Sequence, residues 1–275
     1  MGPGVRRDDG AAADTFFGEL PAVQLKAPNG AEATITLYGA HVVSWKDSTG
    51  QERMFLSSQS ALDGSKAIRG GVPVIFPQFA ARGTGMRHGF ARVLPWRVRE
   101  TGMDGGAAFA VFELASSDLP QQIASAWPHE FTLALRVAVQ ADELSMSLEV
   151  RNTGSQPFPF AAALHTYHLV DDIAAVRIEG LQPHTLTIGG KLDEVYEGIG
   201  GAVTLRSGIG SLVLEQRGFL DAVVWNPGAA DTAALPDMED SEYQRFVCIE
   251  PAMLGPITLD AGAVWLGEYR LRRAG

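Results

Sequence analysis

Apolar and polar positions alternate along much of this chain with a period of two, the signature of strands that bury one face. In Glu143–Asn152, Leu144, Met146, Leu148 and Val150 share one face, while Ser145, Ser147, Glu149 and Arg151 share the other. Phe131–Gln140 repeats the pattern with Leu133, Leu135, Val137 and Val139, and joins its neighbour through Ala141 and Asp142. Two alternating runs with so short a connection predict an antiparallel hairpin. Further short strands are predicted over 33–38, 41–45, 107–114, 175–178, 203–205, 211–214, 222–225, 246–249 and 265–271, with Gly, Asp, Asn and Pro clusters between them. No segment sustains a helical period. The expectation is an all-β fold, a large antiparallel β-sandwich, since such architectures run past the usual domain length as one unit. No Pro-, Gly- or Ser-rich linker and no internal repeat divides the chain, so residues 16–275 are read as a single domain behind a flexible arm over 1–15. Residues 228–244, with Asp237, Glu239, Asp240 and Glu242, are read as the long surface loop.

Composition narrows the function classes. With 275 residues, 46% of them hydrophobic and 20% charged, the chain can build a large core. No run reaches the roughly 18 apolar residues of a spanning helix, and no signal-like apolar stretch follows Met1, so a soluble cytoplasmic protein is expected. The single cysteine, Cys248, permits neither an intramolecular disulfide nor a multi-cysteine zinc site. A net charge of −10 argues against nucleic acid and anionic membranes as partners. The charge is unevenly spread, however. From Arg69 to Arg99 there is no Asp or Glu, while Arg69, Arg82, Arg87, Arg92, Arg97 and Arg99 all fall inside, leaving −16 on the remainder. Such a stretch suits a small anion; arginines on solvated strand faces are the plainer reading.

Candidate chemistry rests on few residues. His165 and His168 are three apart, which on a strand places them on opposite faces, and no third ligand accompanies them. One functional histidine, with the other packed or at the surface, is expected rather than a metal site. Glu250 follows Val247, Cys248 and Ile249 and precedes Pro251, which is read as ending the strand. A carboxylate there either reaches water or is buried and tuned toward a general base. Cys248 shares the strand face of Glu250, as a nucleophile or as a packed small hydrophobe. The chain has no GxSxG, GxGxxG or P-loop pattern. Trp45, Trp96, Trp127, Trp225 and Trp265 are first of all core residues, though any could stack on a sugar.

Read in order, the motifs DGSKAIRGGVP (63–73), FPQF (76–79), HGFAR (88–92), LHTY (164–167), VWNP (224–227) and VCIE (247–250) closely resemble those of the glucose-6-phosphate 1-epimerases. These are hexose-6-phosphate mutarotases of the aldose 1-epimerase superfamily, and the resemblance covers about residues 20 to 272. It implies a galactose mutarotase-like β-sandwich with a cofactor-independent site on its concave face and a small phosphosugar as partner. It also implies that His165 is the general acid and Glu250 the general base, that Arg69 and Arg92 hold the phosphate, and that Gln78 and His88 contact the sugar. Asp193 matches the Asp of a DRVY motif at the family's sugar site, although this chain reads Asp193-Glu194-Val195-Tyr196. The expected activity is interconversion of the α and β anomers of a hexose 6-phosphate, with no metal and with a monomer compatible. Two alternatives remain, an epimerase of unphosphorylated aldoses and a non-catalytic carbohydrate-binding sandwich.

Overall fold

The computed structural model describes residues 11–274, and its described residues are mostly strand. Three antiparallel sheets share one core. The largest has eight strands in the order Arg177–Glu179, Val203–Ser207, Gly210–Arg217, Val264–Arg273, Glu143–Asn152, Phe131–Gln140, Ala107–Ala115 and Arg97–Asp104. The predicted hairpin lies within it, in register from Phe131↔Asn152 to Gln140↔Glu143. Alternation decides which side is dry: Leu133, Leu135, Leu144 and Leu148 are buried in the main core, and the intervening serines and Glu149 face outward.

A six-stranded sheet packs onto that core. Its path runs Leu192–Tyr196, Asp221–Asn226, Phe246–Leu259, Phe158–Leu164 and Val74–Ile75, and Tyr167–Leu169 also pairs with Phe246–Leu259. Period two again sorts the side chains. Val247 and Ile249 enter the main core with Val224, Phe160 and Leu164. Phe246 and Cys248 face the other way, against Phe55 and Tyr167. Ala163, Val223 and Ala252 do the same, around Ile75. This second face carries the site. A four-stranded sheet, Ala12–Phe17, Leu20–Lys26, Glu32–Thr36 and His41–Lys46, closes the remaining side of the core through Val23, Leu25 and Ile35.

Three expectations are corrected. Of the arm read over 1–15, residues 1–10 lie outside the described residues, while Ala12–Phe17 is a strand paired with Leu20–Lys26 from Ala12↔Leu25 to Phe17↔Leu20. Small Ala11 and Ala12 fill the core edge there, a burial that apolar alternation does not announce. Pro251 does not end its strand, which runs on to Leu259. On one side that strand changes partner beside the proline, pairing with Tyr167 at Cys248 and with Ala163 at Ala252. Ile249 donates to Thr166 across that side, so by alternation Pro251 also faces it and its missing N–H falls in the gap. The segment 228–244 is no free loop. It begins with a short helix, Gly228–Thr232, and its glutamates are held: Ser57 Oγ donates to Glu242 at 2.6 Å and Ser58 Oγ to Glu239 at 2.9 Å.

Candidate active site

The gap between the Phe158–Leu164 and Tyr167–Leu169 strands delivers His165 to the outer face of the six-stranded sheet. Its backbone N–H donates to Pro73 at 3.0 Å, and that of Tyr167 to Gly71 at 2.9 Å, so the break is tied to the GGVP motif. Gly71 makes the approach feasible. It has φ +60°, and a Cβ there would meet Val42 O at 2.2 Å. Opposite the gap Glu250 projects from the same face, and His165 Nε2 lies 3.4 Å from Glu250 Oε1. Both side chains are buried, with His165 Nδ1 and Glu250 Oε2 lacking a partner. They form the floor of an open cleft of about 350 Å³.

Burial sets the protonation of the pair. It pushes Glu250 well above the usual carboxylate range, with the nearby Asp193 charge adding to the effect. It holds His165 well below the usual imidazole value, aided by His88, Arg69 and Arg92. Burial thus favours the neutral form of each group over its charged form. His165 is boxed on three sides: Tyr167 stacks on its ring at 4.9 Å and 13°, and His88 and Trp225 present edges at 5.4 and 6.0 Å.

The HGFAR motif forms one wall. Gly89, at φ +69°, lets this turn touch the sheet, since a Cβ would lie 1.9 Å from Phe76 O. His88 itself is held at φ 62°, a conformation that side-chain-bearing residues reach only when their surroundings impose it. Ala80 N–H donates to His88 Nδ1 at 3.3 Å, which leaves Nε2 as the protonated nitrogen. Burial and three neighbouring arginines push the His88 pKa down to about 3, so the ring is a neutral donor at working pH. Arg92 donates through Nη2 to Arg87 O at 3.1 Å, and its Nε is buried without a partner. Among the described residues no carboxylate pairs with Arg92.

Arg69 is engaged differently. Its Nε donates to Asp237 Oδ2 at 3.2 Å, its Nη2 lies 3.1 Å from the same oxygen, and its Nη1 donates to Tyr167 Oη at 3.1 Å. Burial opposes its charge, but Tyr167 and Asp237 more than offset that and raise its pKa.

The cleft thus gathers six of the seven residues singled out in the sequence: His165, Glu250, Arg69, His88, Arg92 and Asp193. Gln78 is not brought to the wall. Its amide donates to Ala80 O and Gly85 O and accepts from Gly85 N, holding the loop that presents His88. Arg87, one of the acid-free run of arginines, also lines the cleft, and sequence reading missed Tyr167, Lys66 and Asp237 there. Tyr167 and Lys66 lay inside quoted motifs, and Asp237 sat in an acidic run that resembled surface. Trp225 is the one tryptophan at the cleft, whereas Trp45 and Trp96 are core. His168 points the other way, with its Nε2 3.3 Å from Tyr269 Oη. Donor atoms of His165, Cys248 and Glu250 lie within 4.8 Å of one another, yet Cys248 is fully buried behind the cleft wall. Burial pushes its thiol well up, as for a packed small hydrophobe.

The sequence pattern of the aldose 1-epimerase family matches residues 21–188. A relative from Cenchrus ciliaris, named "Putative glucose-6-phosphate 1-epimerase", is 34% identical over 92% of this chain and 84% of its own. The chain belongs to the aldose 1-epimerase family. A member bearing the same name, from Escherichia coli K12, is 32% identical over 85% of this chain and 83% of its own. Among solved structures, one described as a "putative mutarotase" from Salmonella typhimurium superposes with a TM-score of 0.88 at 27% identity, covering 99% of this chain and 96% of that one. The galactose mutarotase-like sandwich expected of an aldose 1-epimerase family member is the fold found here.

Proposed function

We propose that the protein is an isomerase that interconverts the α and β anomers of a hexose 6-phosphate, glucose 6-phosphate first among them. The observation that carries the reading is the 3.4 Å approach of His165 Nε2 to Glu250 Oε1 beneath a cleft whose wall holds Arg92 without a carboxylate partner. Anomer exchange needs a base for the proton of the anomeric hydroxyl and an acid for the ring oxygen. With the shared proton on His165 and Glu250 ionised, the pair supplies that acid and base inside the cleft. The carboxylate then takes the O1 proton while His165 protonates the ring oxygen; the bond from C1 to the ring oxygen breaks and C1 becomes an aldehyde. Rotation about C1–C2 offers the other carbonyl face. Re-attack by the ring hydroxyl returns its proton to His165, and Glu250 gives its proton back to O1. Every step moves protons and one C–O bond within the sugar, so the two side chains suffice without a cofactor.

His88 Nε2–H and Asp193 supply a donor and an acceptor for sugar hydroxyls, and Arg92, with Arg69 beside it, meets the phosphate. The phosphate is remote from C1, so its binding orients the sugar rather than entering the bond changes. An epimerase of free aldoses would keep the acid–base pair but leave Arg92 idle, and a binding module would leave the pair idle. We read the domain as one unit that includes the Ala12–Phe17 strand and acts in the cytoplasm, where hexose phosphates are found; the net charge of −10 favours no nucleic-acid partner. Accelerated mutarotation of glucose 6-phosphate by wild type, lost in both His165→Asn and Glu250→Gln, is the expected result; full activity in either variant removes that residue from its role.

A further inference from the structure

Tyr167 stands between the two halves of the site. Its ring lies parallel to the His165 imidazole at 4.9 Å, and its hydroxyl accepts from Arg69 Nη1 at 3.1 Å. It is 2% exposed, yet it reaches the cleft wall. Phe55, Phe246 and Trp225 pack around it and fix the ring, and its backbone N–H is anchored to Gly71 O. A phenylalanine would satisfy all of that packing, so the hydroxyl has no purpose in the core beyond Arg69. We infer that Tyr167 is a positioning residue serving both ends of the site: its ring sets the plane of the His165 imidazole, and its hydroxyl, with Asp237, holds Arg69 facing the anion.

The inference rests on the proposed reaction, and it separates into two parts that different substitutions address. Tyr167→Phe keeps the stacked ring and removes the strut. Arg69 then retains only Asp237, and loss of a hydrogen bond to a charged group weakens binding by about tenfold. The expected result is a tenfold rise in KM for glucose 6-phosphate and in the dissociation constant of inorganic phosphate, with kcat within about twofold of wild type. Tyr167→Leu also removes the platform. Its kcat is expected to fall a further tenfold or more, and the shielding of the His165 ring protons by the stacked aromatic, read by NMR, disappears.

A merely structural tyrosine would lower the amount of folded protein without moving the KM-to-kcat split or the imidazole shifts. Unchanged phosphate affinity in Tyr167→Phe overturns the strut, and unchanged His165 proton shifts in a folded Tyr167→Leu overturn the platform. Should the leucine variant not fold, an equal loss of kcat and affinity in the phenylalanine variant overturns the inference by itself. Phosphate titration and ring shifts need no turnover. If wild type does not accelerate glucose 6-phosphate, the functional reading falls while these two measurements still judge Tyr167.

Discussion

Replacing Glu250 by Gln separates chemistry from stability in this fold. The carboxylate is 1% exposed, Oε2 has no partner, and Asp193 adds a like charge nearby. Its amide isostere cannot take the anomeric proton, and removal of a general base lowers kcat by about 10²- to 10⁴-fold, or about 3–5 kcal/mol in the barrier. The effect on stability has the opposite sign. Because the folded pKa is raised above the unfolded one, the contribution of Glu250 is fully present below the unfolded value near 4.5 and is lost as pH rises through the folded value. Glutamine carries no such penalty. Each pH unit above the unfolded value, up to the folded one, costs the wild type about 1.4 kcal/mol, and each kcal/mol moves Tm by roughly 2–4 °C in a domain of this size. Glu250→Gln is therefore expected to melt at least about 2 °C above wild type at pH 8 and level with it near pH 4.5, while mutarotating glucose 6-phosphate no faster than the uncatalysed reaction allows within the range above. Calorimetry at the two pH values and polarimetry check both halves. A variant that melts lower at pH 8 refutes the argument, because the carboxylate would then be holding the fold rather than straining it.

Other perturbations probe separate links. Arg92→Ala is expected to raise KM for glucose 6-phosphate by about ten- to a hundredfold, the loss of charge-assisted bonds to phosphate. Turnover of free glucose, measured alongside, should be untouched, and equal losses on both sugars would make the arginine structural. Burial holds His41 and His168 down to about 4, His88 to about 3 and His165 well below its usual value, so stability is full above pH 6.5 and drains as pH falls toward 4. With about 1.4 kcal/mol per pH unit from each of the four, Tm should drop steeply between pH 6 and 4.5; a flat profile contradicts their burial in neutral form. Asp47→Ala strips Arg53 of its partner at 2.6 Å, both side chains being almost fully buried, and should cost about 3–5 kcal/mol by urea unfolding. A change below about 1 kcal/mol would place that pair in water.

Much of this architecture is legible because period two acts locally. The Phe131–Gln140 and Glu143–Asn152 hairpin announces itself, since a half-buried strand must alternate. Where both faces are buried the signal fades. Phe158–Leu164, part of the six-stranded sheet, reads FPFAAAL and shows no alternation, because both of its faces are buried: Phe158, Phe160, Ala162 and Leu164 lie in the main core, and Ala161 and Ala163 pack on the other face. Leu192–Tyr196 at the sheet edge is mostly exposed and reads as polar, although it carries Asp193 to the cleft. The site was visible only as motifs. Nothing local says that Asp237, 168 residues beyond Arg69, closes on it, or that Gln78 spends its amide on Gly85. Such facts belong to tertiary placement, which one sequence does not encode in any short window.

The central claim is that a phosphorylated hexose is the substrate of the His165–Glu250 pair. Freshly dissolved α-glucose 6-phosphate, followed by polarimetry or by a dehydrogenase specific for the β anomer, tests it directly, with glucose and galactose run beside it. The account predicts acceleration over the spontaneous rate for the phosphosugar, well above that for either free sugar. Equal acceleration of the free sugars, or none for the phosphosugar, would contradict it.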